Sequence, residues 1–294
     1  MRVVRSSAEV RAALKRARAA GARRLALIPT AGALHRGHLS LVQLAQAQAD
    51  YRVVSLFVNP TQFGPTEDFT AYPRDEECDR RLLEEQGVEL LFTPPVEDIY
   101  PQKPRLGFEI SGLADHLCGA RRPGHFNGVL LIVAKLFNLI QPEVAVFGMK
   151  DLQQLVIIKQ LVRELSFDIQ IVAAPTVREP DGLALSSRNR YLNPEERRQS
   201  SALYRALERG QALIAAGERQ AERVIAEMKS LLEAEAPLAR LDYLEIVDLA
   251  KLQPLKQLSG RCALALAAYF GRARLIDNLV LEVRGEAVRE LRAI

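Results

Sequence analysis

The 294-residue chain is 48% hydrophobic, enough to bury one large core or two smaller ones. Its net charge of +4 comes from Lys and Arg interspersed with Glu, not gathered in a stripe; this argues against nucleic-acid binding and leaves phosphorylated small molecules open. Three cysteines (Cys78, Cys118, Cys262) at wide spacings, with no Cys-x-x-Cys pair, argue against a disulfide scaffold or zinc ribbon and suit a reducing cytoplasm.

The first residues lack the apolar core of a signal peptide, so a soluble, cytoplasmic protein is expected. Ser7 to about Ala20, rich in Ala, Arg and Glu, predicts a helix. The apolar run Leu25–Ile28 then predicts a strand, Pro29 to His38 a glycine-bearing turn, and Leu39 to about Ala49 an amphipathic helix. Such a turn is expected to gather unbonded main-chain N–H groups and the positive end of a helix, where anions bind. Gly32 and Gly37 would let main chain approach a ligand closely. His35 and His38 are three apart, so both imidazoles can face one ligand if the helix starts near Gly37. Two donors aimed at one phosphate suit a reaction in which negative charge builds on phosphorus, and the turn reads as a nucleotide-triphosphate site. Two plainer readings stay open: a tight turn with incidental histidines and, last, a metal pair, for which no neighbouring Glu or paired Cys is present. The spacing matches neither the P-loop nor the dinucleotide fingerprint.

Tyr51 to Asn59, β-branched and aromatic, predicts a strand buried on both faces, as in a parallel sheet. Asn59 to Pro65 carries two prolines and a glycine and is expected to be an ordered loop without regular structure. The amides of Asn59 and Gln62 there suit a small hydroxylated acid, or else simply cap the turn. A helix from about Asp75 to Gln86 and a strand from Val88 to Phe92 continue the alternation, and Pro94 to Pro104 is a surface loop. Arg121, Arg122 and His125 precede an apolar helix, Val129 to Ile140, and would gain from an anionic ligand unless the arginines simply point to water. The surrounding apolar run, Gly128 to Ile140, contains Lys135 and Asn138 and is too short to span a bilayer.

Strand Glu143 to Phe147 leads into Gly148-Met149-Lys150-Asp151 and a helix from Leu152, a second strand–glycine–helix turn. Lys150 can offer a point charge to phosphate, Asp151 can cap the helix or hold a ribose hydroxyl, and Gln154 lies one turn in. After a strand at Ile169 to Ala173, the flexible polar segment Leu185 to Leu192 sets Ser186, Ser187 and Arg188 as a phosphate grip, or as a linker ahead of the Asn193-Pro194 helix start. Beyond Pro194, helical runs (Glu195 to Ala216, Glu218 to Ala234) precede strands at Leu241 to Val247, Cys262 to Phe270 and Leu275 to Val283, with Asp277-Asn278 read as a turn or bulge. The expected fold class is α/β: a Rossmann-like doubly wound parallel sheet (residues 1–182) with a smaller α+β C-terminal domain (183–294) that carries no clustered catalytic chemistry.

His35-Arg36-Gly37-His38 resembles the His-x-Gly-His signature of adenylate-forming nucleotidyltransferases, which include class I aminoacyl-tRNA synthetases and cytidylyltransferases. Five stretches (PTAGALHRGHLSLV, FVNPTQFGPTEDFTAYPR, RPGHFNGV, GMKDLQQL and TVREPDGLALSSRN), in this order, resemble the pantoate–β-alanine ligase (pantothenate synthetase) family. The resemblance implies an ATP-dependent ligase that adenylates (R)-pantoate, releases pyrophosphate, and lets the amine of β-alanine displace AMP. It further implies Mg²⁺, a homodimer and a C-terminal lid. By the same resemblance the ATP-binding turn is Ala31, Gly32, Ala33, Leu34, His35, Arg36, Gly37 and His38, with His38 a general acid. Gly148, Lys150 and Asp151, with Met149 among them, are expected to form the later ATP segment, Val177 to touch adenine, and Ser186, Ser187 and Arg188, with Leu185 before them, to form the phosphate loop. The resemblance implies that Gln62 and Gln154 hold pantoate; the amide of Asn59 and the charge of Arg122 make them further expected substrate contacts, and His38, His35, Lys150 and Arg188 are expected to carry the catalysis. Ala31 and Leu185 stand where the family often has Met, and Met149 where Glu or Gln is usual; Ala31 is expected to loosen the substrate pocket. Competing functions are a nucleotidyltransferase that keeps the nucleotide in its product and a nucleotide-binding regulatory module without turnover.

Overall fold

The computed structural model describes residues 1–65 and 67–294. In chain order its elements are β1 (Arg2–Val4), α1 (Ser7–Ala19), β2 (Leu25–Thr30), α2 (Arg36–Gln46), β3 (Tyr51–Leu56), α3 (Glu76–Glu85), β4 (Leu90–Phe92), α4 (Val96–Ile99), α5 (Leu117–Arg121) and α6 (His125–Ile140). There follow β5 (Val144–Gly148), α7 (Leu152–Glu164), β6 (Gln170–Ala174), α8 (Pro194–Ser200), α9 (Ala202–Ala215), α10 (Ala221–Glu235), β7 (Ala239–Asp248), β8 (Gly260–Phe270), β9 (Ala273–Arg284) and β10 (Ala287–Glu290). These elements form two compact units that are not consecutive stretches of chain. One comprises Met1–Ile110, Pro123–Gly148 and Ile157–Ala174; the other comprises Ser111–Arg122, Met149–Val156 and Pro175–Ile294.

The first unit is built on a parallel six-stranded sheet in the order β1-β4-β3-β2-β5-β6. Strand order reverses between β2 and β5, and in doubly wound sheets ligands bind beyond the carboxyl ends of the strands at such a reversal. The near-continuous apolar strands follow from burial on both faces. Ala26, Ile28, Val54, Leu91, Val144 and Val146 pack with Leu41, Val42 and Ala45 of α2 and Leu83 of α3. Their alternating neighbours Leu25, Leu27, Val53, Leu90, Phe92 and Ala145 are equally buried and point to the opposite face. Strand β1, which is too short to show periodicity, is specified by its pairing with β4. A full capping box starts α1: the Ser6 side chain accepts from Glu9 N–H, and the Glu9 carboxylate accepts from Ser6 N–H. One helical turn, α4, occupies part of the expected loop at Pro94 to Pro104. Helix α6 begins at His125, not Val129, because Gly124 takes φ 79° as its N-cap and allows the helix to start earlier.

In the second unit a four-stranded antiparallel sheet, in the order β10-β9-β8-β7, packs against α9 and α10. Leu264, Leu266 and Phe270 of β8 and Leu275, Leu279 and Leu281 of β9 meet Leu203, Leu207 and Ile214 of α9 and Val224 and Met228 of α10. The expected single helix from Glu195 to Ala216 breaks between α8 and α9. Ser200 and Ser201 turn their hydroxyls back to the Arg197 and Arg198 carbonyls, at 2.9 and 3.1 Å, in competition with the helix ladder. Asp277-Asn278 is neither a turn nor a bulge: both residues keep the ladder, opposite Leu266 and Ala265 of β8. Among the described residues no helix is long and apolar enough to cross a membrane.

Candidate active site

In the first unit the turn after β2 is closed from within. Ala33 N–H and Leu34 N–H donate to the two oxygens of Asp79 at 2.8 and 2.7 Å, and Gly32 N–H to Thr30 Oγ1 at 3.4 Å. His35 N–H donates to His38 Nδ1 at 3.3 Å and Gly37 N–H to His35 Nδ1 at 3.1 Å. The expectation of unbonded main-chain donors is therefore overturned for these residues: a threonine hydroxyl, a buried carboxylate and two imidazoles occupy them. Asp79 is 2% exposed and projects from the first turns of α3. Gly32 sits at φ 83°, and a Cβ there would come within 3.1 Å of Asp79 Oδ2, so both the conformation and the space call for glycine.

The same bonds fix the chemistry of the two rings. Each Nδ1 accepts from a main-chain N–H, so the hydrogen of each neutral imidazole lies on Nε2. His35 is the N-cap of α2, His38 its third residue, and the ring centroids are 4.1 Å apart. With the helix starting at Arg36, the three-residue spacing sets both imidazoles at the start of one helix, in a fixed tautomer. Arg36 is exposed, whereas Ala31 and Gly37 are partly covered.

Beyond β3, Pro60–Gln62 forms a 3-10 turn with Pro60 in its first position, where the missing N–H costs nothing. Asn59, 2% exposed, has its whole amide engaged by this turn and its neighbours. Nδ2 donates to Gln62 Oε1 at 3.1 Å and to Gly128 O at 3.0 Å, while Oδ1 accepts from Thr61 N–H, Thr61 Oγ1 and Tyr100 OH. Asn59 therefore orients Gln62; its own amide is fully engaged with protein. Helix α6 lies so near the turn that a Cβ on Gly128 would fall 2.2 Å from Thr61 O. His125 Nδ1 lies 2.8 Å from Gln62 O and so serves the same turn.

Apart from Gly148, the last residue of β5 in the first unit, the second unit gathers the other sequence candidates. Met149–Asp151 is a 3-10 turn leading into α7, with Met149 buried, Lys150 half-buried and Asp151 exposed. Lys150 forms no ion pair among the described residues. The adjacent glutamines divide their work. Gln153 is 5% exposed: its Nε2 donates to Leu113 O and His116 O, and its Oε1 accepts from Gly119 N–H. Gln154 is half-buried, and its side-chain amide makes no hydrogen bond among the described residues. Residues 177–185 form a tight antiparallel turn, with Arg178 opposite Ala184 and Leu185 N–H donating to Val177 O at 3.0 Å. Val177 and Leu185, far apart on a linear reading, thereby become neighbours. The expected flexible segment is a 3-10 turn, Ser187–Tyr191, capped by Ser186, whose Oγ accepts Arg188 N–H at 3.2 Å. Arg121 lies 3.9 Å from Asp242, a loose contact. Arg122 is half-buried at the end of α5.

Three residues absent from the sequence candidates organise these segments. Asp79 sets the His turn. Asp277, 3% exposed, pairs both carboxylate oxygens with Arg178 at 2.6 and 2.9 Å. Burial pushes its carboxyl above the ordinary aspartate range, while Arg178, the Asn278 N–H and the charge of Lys150 pull it back. Asn278 donates to Met149 O and Lys150 O, each at 3.0 Å. The available signal was polar residues at apolar positions: Asp79 shares a helix face with buried Leu83, and Asp277-Asn278 interrupts an apolar strand.

Residues 2–280 match the family model described as pantoate-beta-alanine ligase. A pantothenate synthetase of Moorella thermoacetica is 53% identical over 259 residues, covering 88% of this chain and 91% of the relative. The crystal structure of pantothenate synthetase from Thermus thermophilus aligns with a TM-score of 0.90 at 47% identity, covering 95% of this chain and 99% of that one. A pantoate-beta-alanine ligase from Francisella tularensis, complexed with beta-gamma ATP and beta-alanine, aligns with a TM-score of 0.76 at 33% identity, over 95% of this chain and 97% of that one.

Proposed function

Since the chain belongs to the pantoate–β-alanine ligase family, we propose that its His turn, its Lys150 segment and its Ser186–Arg188 segment serve one ATP-dependent adenylation. The enzyme condenses (R)-pantoate with β-alanine to pantothenate through a pantoyl adenylate, releasing pyrophosphate and then AMP. The observation that carries the assignment of roles is the locked imidazole pair, His35 and His38, with ring hydrogens on Nε2.

A carboxylate is a poor electrophile, and adenylation gives it a leaving group. The pantoate oxygen attacks the α-phosphorus, the bond to the β-phosphate oxygen breaks, and pyrophosphate leaves with that electron pair. Orientation of the reactants can lower such a barrier by on the order of 7–11 kcal/mol. His38, as general acid, donates from Nε2 to a phosphate oxygen on which charge gathers; His35, Lys150 and Arg188 add stabilisation. The turn residues Ala31–His38, with Gly148–Asp151, Val177 and Leu185–Arg188, bind the nucleotide. Gln62, held by Asn59, and Gln154 bind pantoate, with Arg122 as a further substrate contact. The amine of β-alanine then attacks the acyl carbon, the bond to AMP breaks, and the amine loses a proton.

Mg²⁺, which the resemblance implies, would partly neutralise the charge of the triphosphate when bound. Among the described residues no group of three or more His, Cys, Asp or Glu could hold a metal. Residues 1–182 bind nucleotide and pantoate, and 183–294 close as a lid that protects the adenylate from water. The working form is a homodimer, as the resemblance implies, in the reducing cytoplasm that three free cysteines suit. The test is AMP formation with ATP, pantoate and β-alanine, each omitted in turn. AMP should require all three, and pyrophosphate release only ATP and pantoate; AMP formation without pantoate would refute the assignment.

A further inference from the structure

Asparagine is poorly suited to the middle of a buried strand, and an unbonded amide there is costly. Asn278 is 6% exposed in β9, yet both hydrogens of its Nδ2 are accounted for. They go to consecutive carbonyls, Met149 O and Lys150 O, at 3.0 Å each. The preceding residue reaches the other way. Asp277 shares its side of β9 with Leu275 and Leu279 and meets Arg178, whose guanidinium lies 3.9 Å above the Tyr204 ring of α9. Arg178 also donates to Gly182 O at 3.0 Å and to Asn278 O at 3.4 Å. One dipeptide therefore clamps two separate segments: the turn bearing Lys150, and the hairpin that pairs Val177 with Leu185 and runs into Ser186–Arg188.

We propose that Asn278 and Asp277 are positioning residues for adenylation, Asn278 setting the main chain from which Lys150 reaches phosphate and Asp277 setting, through Arg178, the hairpin ahead of the serine-arginine segment. The polar side chains of this dipeptide, and not the apolar residues of β9, then support the nucleotide-binding segments. This rests on the reading of Lys150 as a phosphate ligand.

The test is a double-mutant cycle on pyrophosphate release, with Asn278→Ala, Lys150→Ala and the double variant assayed well below their melting temperatures. Asn278→Ala should lower kcat/KM for ATP by about 10- to 100-fold while the KM for pantoate stays within about twofold. In the Lys150→Ala background the same change should add less than about threefold, since the group it positions is gone. Asn278→Ser keeps a single donor and should fall between wild type and Ala, which also covers the case of an unfolded Ala variant. A matched control is Leu281→Ala, also in β9 and fully buried: it should lower the melting temperature without changing the KM for ATP. Wild-type kinetics in Asn278→Ala, or losses that multiply fully with Lys150→Ala, would overturn the proposal. Should Lys150→Ala itself be unimpaired, the phosphate role fails first, and the positioning role with it.

Discussion

Replacing Asp79 tests whether the His turn is held by a carboxylate. Its two oxygens accept Ala33 N–H and Leu34 N–H at 2.8 and 2.7 Å in a site where Asp79 is 2% exposed. Hydrogen bonds to a charged group are worth about 1.5–3 kcal/mol each, so the pair amounts to about 3–6 kcal/mol. Removing a buried carboxylate also relieves its own desolvation, which draws the net cost of Asp79→Ala toward about 3 kcal/mol. At about 2–4 °C per kcal/mol, the melting temperature should fall by about 6–12 °C. Asp79→Asn is the sharper probe, because it keeps the shape but sets an NH₂ against one of the two N–H donors. It should lose most of the same stability and cut pyrophosphate release by on the order of 100-fold, as expected for a catalytic group displaced by about 1 Å. Thermal melts, pyrophosphate release and amide exchange at Ala33 and Leu34 together read the effect. An Asn variant with wild-type melting, wild-type turnover and unchanged exchange at both amides would refute the reasoning.

His38→Ala should leave a folded protein whose pyrophosphate release from ATP and pantoate falls at least about 100-fold; near-normal release would contradict its role. Gly128→Ala puts a Cβ 2.2 Å from Thr61 O, so α6 or the Pro60–Gln62 turn must move. The cost should be about 1–3 kcal/mol in urea unfolding, with a raised KM for pantoate, and an unchanged KM would separate the turn from substrate binding. Burial pushes the Cys262 thiol up to about 11, against 9.0 ordinarily. Since its folded value is raised, the stability linked to this protonated thiol is complete below pH 9.0 and is lost as pH rises through about 11. At about pH 8, a thiol reagent should label half-buried Cys78 first and Cys262 only on unfolding.

The sheet and the local turns were legible because their signals are local. Apolar runs with β-branched residues mark strands buried on both faces, and Leu25–Ile28, Tyr51–Leu56 and Val144–Phe147 carry that pattern. His35 and His38 declared themselves through a three-residue spacing, which a helix start converts into adjacent rings. What stayed hidden depends on partners distant in sequence. Nothing near Ala33 announces that a carboxylate from α3 will take its N–H, so unbonded donors were the natural expectation. Asp277-Asn278 looked like a break because the partners that justify burying it, Arg178 and the Lys150 main chain, lie about 100 residues or more earlier in the chain. Asn59 and Gln62 looked alike as amides; only the turn geometry makes one the support of the other.

The chain passes between its two compact units at 110/111, 122/123, 148/149, 156/157 and 174/175. No single cut of the polypeptide can therefore release both units whole. A fragment ending at residue 182 would keep 111–122 and 149–156 but lose Asn278, and with it the donor to Met149 O and Lys150 O. Grafting the C-terminal half of a relative onto this enzyme would meet the same obstacle, because two short inserts of the N-terminal half must match it. The halves can be exchanged only if those inserts travel with them.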